Sequence, residues 1–260
     1  MRRVPRWVYV PALIGVAFIL LGPMALVIRM PWTDFVASVT SPASLDALRL
    51  AVVTALTSTA LCLVFGVPMA VVFARSNGVV VRIVRALVLL PLVLPPVVGG
   101  LALLYALGRR GIVGQYLDDQ GITIAFTTTA VVLAQTFVAL PFLVISVEGA
   151  LRSSDDEYEQ VAATLGAGPT RTLWKVTLPL VVPSLLAGTV LAFARALGEF
   201  GATITFAGNL PGTTQTAPLK IYLDAINNPI QALPLALVLM VVALVVVVGV
   251  HMRPGATGAR

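Results

Sequence analysis

The sequence predicts an all-helical membrane protein with six transmembrane helices, and three observations carry that reading. Of its 260 residues, 58% are hydrophobic and 11% charged. Soluble domains stand near about 45–50% apolar and about 25% charged, so a soluble globular fold is excluded. The mean hydropathy of +0.99 excludes intrinsic disorder, because a disordered chain is poor in apolar residues. The apolar residues also gather into runs, each close to the roughly 20 residues that carry a helix across the hydrocarbon core.

The runs are Val8 to Ile28, Leu50 to Ala74, Leu87 to Leu107, Thr127 to Val147, Leu178 to Leu197 and Ala232 to Val250. They divide the chain into an N-terminal segment 1–7, a six-span domain 8–250 that contains the long loop 149–177, and a tail 251–260. The first run follows Arg2, Arg3 and Arg6, as a signal core would, but it is about twice as long and no A-x-A site closes it, which predicts a retained span. Pro91, Pro95 and Pro96 interrupt span 3, with Gly99 and Gly100 after them. A bend there frees backbone carbonyls that neighbouring helices or a wet cavity must satisfy. Thr127 to Thr129 open span 4 and fit either bonding to their own helix or lining a polar path. Span 6 is almost wholly Val, Leu, Ala and Met, which predicts a lipid-facing helix.

The net charge of +6 does not point to nucleic acid, because the 17 Lys and Arg form no dense basic cluster. They set orientation instead. With the N-terminus in the cytoplasm, Arg2, Arg3, Arg6, Arg75, Arg82, Arg85, Arg152, Arg171, Lys175, Arg253 and Arg260 fall inside, and only Arg29, Arg109, Arg110 and Lys220 outside. This bias predicts both termini in the cytoplasm, residue 155 inside and residue 213 outside.

Several chemistries lack their parts. One cysteine, Cys62, and one histidine, His251, give neither a disulfide nor an HExxH metal site, and no cofactor or metal is expected. His251 stands in the tail, where a solvated or lipid-interface role is expected. Lys175 and Lys220 are followed by Val176 and Ile221, so the chain has no GxxxxGK[ST] nucleotide loop and is not itself an ATPase. A membrane-embedded hydrolase is disfavoured by the lack of a nucleophile paired with a base.

Loop 149–177 is the most informative soluble stretch. Ser154-Asp155-Asp156-Glu157 reads as a capping box that starts a helix. Tyr158, Val161, Ala162 and Leu165 follow at helical spacing and are expected on one face. Gly166, then Gly168 and Pro169, end the helix, and a second short helix, Thr170 to Val176, leads into Leu178-Pro179. Such an exposed amphipathic helix suits a groove in a partner protein or the bilayer surface.

Gly166, nine residues, Val176, one residue and Leu178-Pro179 resemble the cytoplasmic loop of ABC importer permeases, Glu-Ala-Ala, three residues, Gly, nine residues, Ile, one residue, Leu-Pro. Its Glu-Ala-Ala slots hold Gln160, Val161 and Ala162 here, with Glu159 one residue early. From Leu178 the chain, through Gly198-Glu199-Phe200-Gly201-Ala202, Thr203-Ile204-Thr205-Phe206 and Pro211-Gly212-Thr213, looks like molybdate permeases of the sulfate/molybdate branch, as does Leu89 to Pro96. Sulfate permeases share the 198–202 pentapeptide. The resemblance implies a type I ABC importer permease that takes up a tetrahedral oxyanion, molybdate or tungstate, by alternating access. It further implies a homodimer in the lipid bilayer of the cell membrane, two cytoplasmic ATPase subunits and an extracytoplasmic oxyanion-binding protein. Glu159, Ala162, Leu165, Gly166, Leu178 and Pro179 would form the coupling segment received by the ATPase. A sulfate permease of the same branch and an ion-coupled secondary anion transporter are the alternatives, the latter requiring mid-membrane carboxylates.

Arg195 and Glu199 lie one helical turn apart near the outer end of span 5, and Glu148 at the inner end of span 4 is expected at the interface. Charges so deep should face the bundle or each other. Arg195 and Glu199 therefore fit an ion pair that fixes the helix, or, with Thr203 and Thr205, a gate or anion path.

Overall fold

The computed structural model describes residues 5–154 and 157–251, and among them it holds helices, turns and no strand. Arg2, Arg3, Asp155, Asp156, Met252, Arg253 and Arg260 lie outside the described residues, as does the side chain of His251. The helices are α1 (Tyr9–Ile28), α2 (Phe35–Val39), α3 (Pro42–Arg75), α4 (Val79–Leu89), α5 (Pro96–Leu107), α6 (Gly114–Asp118) and α7 (Thr128–Ser153). There follow α8 (Glu157–Thr164), α9 (Pro169–Thr172), α10 (Leu178–Leu197), α11 (Gly201–Phe206), α12 (Ala217–Asn227) and α13 (Pro229–His251).

Among the described residues five helices are long and apolar enough to cross a membrane, and a sixth crossing exists if the bent pair Val79–Leu92 and Pro96–Leu107 is one span. Helix ends overrun the apolar runs because caps and hydrogen bonds, not hydropathy, decide where a helix stops. Ser41 accepts from the Ser44 N–H and Pro42 follows it, so α3 begins eight residues before Leu50. Its 34 residues rise about 51 Å, well beyond the hydrocarbon core. Thr127 caps α7 in the same way, accepting from the Ala130 N–H at 3.3 Å.

The third span differs most from expectation. It starts at Val79 rather than Leu87, passes through a 3-10 turn at Leu90–Leu92, and turns by 117° into α5. Pro95 and Pro96 each lack an N–H, so the helix cannot run through them. Neither arm alone, at about 1.5 Å per residue, reaches across about 30 Å of hydrocarbon.

The core is a three-helix seam of α3, α7 and α10. Small residues on α3, among them Ala51, Ala55, Ser58, Cys62 and Ala70, are buried and let the helices approach closely. Leu143, Val144 and Val147 of α7, with Val181, Ala192 and Ala196 of α10, fill the rest. A second cluster joins α7 to α11 through Ala134, Val138, Ala202 and Phe206. α1 buries no residue, and most of its apolar side chains are exposed. Span 6, expected to face lipid, does so in part: Ala232, Leu235 and Leu237 of α13 are buried, while Leu244, Val245 and Val248 further along are exposed.

Candidate functional site

Two places collect the residues singled out by sequence, one at each end of α10. At the first, α8 ends as a Schellman turn: the Ala167 N–H bonds the Ala162 carbonyl at 3.0 Å, and Gly166 N–H bonds Ala163 at 2.9 Å. Gly166 takes φ +81°, a backbone region open at little cost only to a residue without Cβ. The expected single face is split. Ala162 is buried, whereas Tyr158 and Val161 are exposed and Leu165 is 83% exposed. Ser154 belongs to the end of α7, where its hydroxyl donates to the Leu151 carbonyl, and the Asp155-Asp156 pair of the expected box lies outside the described residues.

The expected second helix is also different. α9 stops at Thr172 and a π-turn, Leu173–Thr177, runs straight into α10. Pro179 accounts for it: without an N–H it cannot bond the Lys175 carbonyl, and its ring crowds that carbonyl, so the turn widens. Leu178 packs half-buried against the core beside this turn.

Glu159 points inward from α8. Its carboxylate pairs with the guanidinium of Arg75 and accepts from the Thr177 hydroxyl at 2.6 Å. Glu148, at the end of the fourth apolar run, is buried within the bundle, 1% exposed. Arg85 donates to it at 3.0 Å and Arg152 at 2.8 Å, and Arg152 also bonds the Phe73 carbonyl at 2.7 Å. The i,i+4 spacing of Glu148 and Arg152 was a usable signal. Arg75, Arg85 and Thr177 carried none, since only the packing of distant segments brings them to these carboxylates.

At the far end of α10, Arg195 and Glu199 do meet, at 2.6 Å, with Glu199 1% exposed. Glu199 has a second task. Its other oxygen accepts from the Ala202 N–H at 2.8 Å, placing a carboxylate at the start of α11. Thr203 is buried with a hydroxyl that has no hydrogen-bond partner. Thr205 bonds back to the Gly201 and Ala202 carbonyls. α11 lies hard against α5: a Cβ on Gly100 would overlap the Thr205 hydroxyl and stand 2.6 Å from the Ala202 carbonyl oxygen. Phe200 packs against Tyr222 of α12 with the rings tilted by 51° and their centroids 4.7 Å apart. Thr128 of the triplet at the head of α7 holds the neighbouring turn, donating to the Thr213 carbonyl at 2.9 Å.

The arrangement defines a class: a bundle of apolar helices with a short helix hung on one end of α10 and a broken, charged turn at the other, and no catalytic constellation among the described residues. Residues 63–253 match the binding-protein-dependent transport system inner membrane component family, and the chain belongs to that family. It is 59% identical over 249 residues, 96% of this chain and 94% of the relative, to the molybdenum transport system permease protein ModB of Mycobacterium tuberculosis. The probable sulfate transport system permease protein cysT of Chlorokybus atmophyticus stands further off, 36% identical over 73% of this chain and 66% of its own length. Among solved structures, a bacterial alginate ABC transporter in complex with an alginate-bound periplasmic protein shares the fold, with a TM-score of 0.71 at 21% identity, covering 97% of this chain and 95% of the other. The chain is thus a transport subunit, a multi-pass component of the inner membrane.

Proposed function

We propose that this chain is the permease of an ATP-driven molybdate importer, working as a homodimer with two cytoplasmic ATPase subunits and an extracytoplasmic oxyanion-binding protein. The observation that carries the reading is the 59% identity to a molybdenum permease across 96% of the chain, against 36% to a sulfate permease. In this reading 8–250 is one permease domain, the segments 1–7 and 251–260 are cytoplasmic, and loop 149–177 faces the ATPase.

The exposed Tyr158, Val161 and Leu165 supply an apolar face for the ATPase groove, and buried Ala162 sets the helix close to its own bundle. Gly166 gives the sharp end, and Leu178 with Pro179 joins the loop rigidly to α10. Hydrolysis in the partner would then move α8 and, through it, the membrane helices between inward- and outward-open states. Arg195, Glu199, Thr203 and Thr205 form the outer turn. The pair there serves first to neutralise two deep charges. A permease fed by a binding protein needs only a weak polar lining, because the anion must also leave.

The test is ATP hydrolysis by the complete complex in proteoliposomes carrying molybdate, tungstate or sulfate with the binding protein. Stimulation by molybdate and tungstate but not sulfate is expected. Uptake abolished by an ionophore while ATP is saturating would instead establish the ion-coupled alternative.

A further inference from the structure

The last turn of α3 is held on two sides by quite different means. Toward α7, the Phe73 carbonyl accepts from Arg152, which is in turn fixed by buried Glu148. Toward the loop, Arg75 reaches the Glu159 carboxylate and donates at 3.3 Å to the Thr177 hydroxyl, which itself donates to Glu159. The three side chains close a triangle whose corners sit on α3, on α8 and in the π-turn ahead of α10.

The triangle stands at a wet margin. Arg75 and Glu159 keep 46% and 23% of their side chains exposed, and they border a polar cavity of about 310 Å³ with Asn77, Arg152 and Ser154. Ion pairs in such a setting add little to stability. What this one adds is geometry, since three groups satisfy one another in a single arrangement. It also bridges the Gly166 turn and the chain leading to Pro169, along which a motion of α8 would otherwise be lost. Thr177 lies where the helix is wound wider than α, and such turns are frequent at functional sites.

We propose that Arg75 and Thr177 are positioning residues for coupling. They fix Glu159 so that a displacement of α8 reaches the end of α3 and the head of α10 together. The inference rests on the reading of α8 as the ATPase-docking helix, and the experiment separates the two.

Molybdate uptake and ATP hydrolysis are measured on the same proteoliposomes, with ATPase subunit and binding protein present, for Arg75→Ala, Thr177→Val, Thr177→Ser and Leu165→Asp. Arg75→Ala and Thr177→Val are expected to copurify the ATPase subunit yet move at least about fivefold less molybdate per ATP, the lower end of ordinary coupling energies. Thr177→Ser, which keeps both hydrogen bonds, stays within about twofold of the parent protein. Exchanging the charges, Arg75→Glu with Glu159→Arg, restores most of the ratio lost in Arg75→Ala. A ratio within about twofold of the parent in both Arg75→Ala and Thr177→Val overturns the proposal, as does loss of the ATPase subunit from either. Leu165→Asp reports on docking alone: if it retains the ATPase subunit, the docking reading fails whatever Arg75 does.

Discussion

At the scale of single residues, the two buried carboxylates are neutralised differently, and the difference predicts different mutant behaviour. Glu199, 1% exposed, pairs with Arg195, itself 28% exposed, so removing that guanidinium strands a buried carboxylate at a cost of about 3 kcal/mol, the low end for a buried pair. Arg195→Ala and Glu199→Ala should each lower thermal stability and uptake, and the double variant should recover much of both if the pair only fixes the helix. A stable double variant with uptake as poor as Arg195→Ala alone would place Arg195 on the anion path. Glu148 has two partners, each about 40% exposed. Arg85→Ala or Arg152→Ala leaves it one guanidinium, so each single change should cost only about 1 kcal/mol, near the value of a partly exposed pair. Removing both strands Glu148 and should cost about 3 to 5 kcal/mol, a strong departure from additivity visible in melting curves of the detergent-solubilised protein. Equal, additive losses would show that the two arginines do not back each other up.

At the scale of elements, the proposed docking of α8 depends on how the helix ends. Gly166→Ala must hold a Cβ at φ +81° with open space around it, so only the backbone cost of about 1–2 kcal/mol remains, and α8 should shift without losing its fold. Gly166→Pro cannot adopt that φ and removes the N–H that bonds Ala163. Copurification of the ATPase subunit with these variants measures the graded effect: reduced in Gly166→Ala, abolished in Gly166→Pro, with both proteins still inserted. Gly166 was legible in the sequence because a turn of this kind depends on three neighbouring backbone groups. The long apolar helices were legible for the same reason, each needing only its own composition. What was not legible depends on tertiary contact. Glu148 could be placed by sequence at the end of an apolar run, but its pairing with Arg85 depends on α4 folding back beside α7. The 117° turn was visible as prolines, but its size goes with the close packing of α5 on α11, which no local pattern carries.

At the scale of the whole molecule, one chain exposes 16097 Å², whereas a soluble monomer of its mass would expose about 10,900 Å². The excess is largely apolar: the outer faces of α1 and α4 and the later part of α13 are covered with Leu, Val, Ile and Phe. Lipid is the surrounding that such surfaces fit. The orientation of the bundle in that lipid is set by charge. Arg75, Arg82, Arg85, Arg152, Arg171 and Lys175 all belong to the α8 end, where Arg75, Arg85 and Arg152 converge on Glu148 and Glu159. Basic residues resist translocation, so that end should remain in the cytoplasm and the 208–216 turn should lie outside. The prediction is open to a direct check in a Cys62→Ser background, using Thr164→Cys on α8 and Thr213→Cys in the opposite turn, both at exposed positions. A membrane-impermeant maleimide should label Thr213→Cys in intact cells and Thr164→Cys only after the membrane is opened. Labelling of both from one side would mean that an odd number of crossings does not separate them. In that case α4 and α5 could still form a re-entrant hairpin, but the crossing by α10 between residues 178 and 197 would have to be abandoned, and the coupling role of α8 with it.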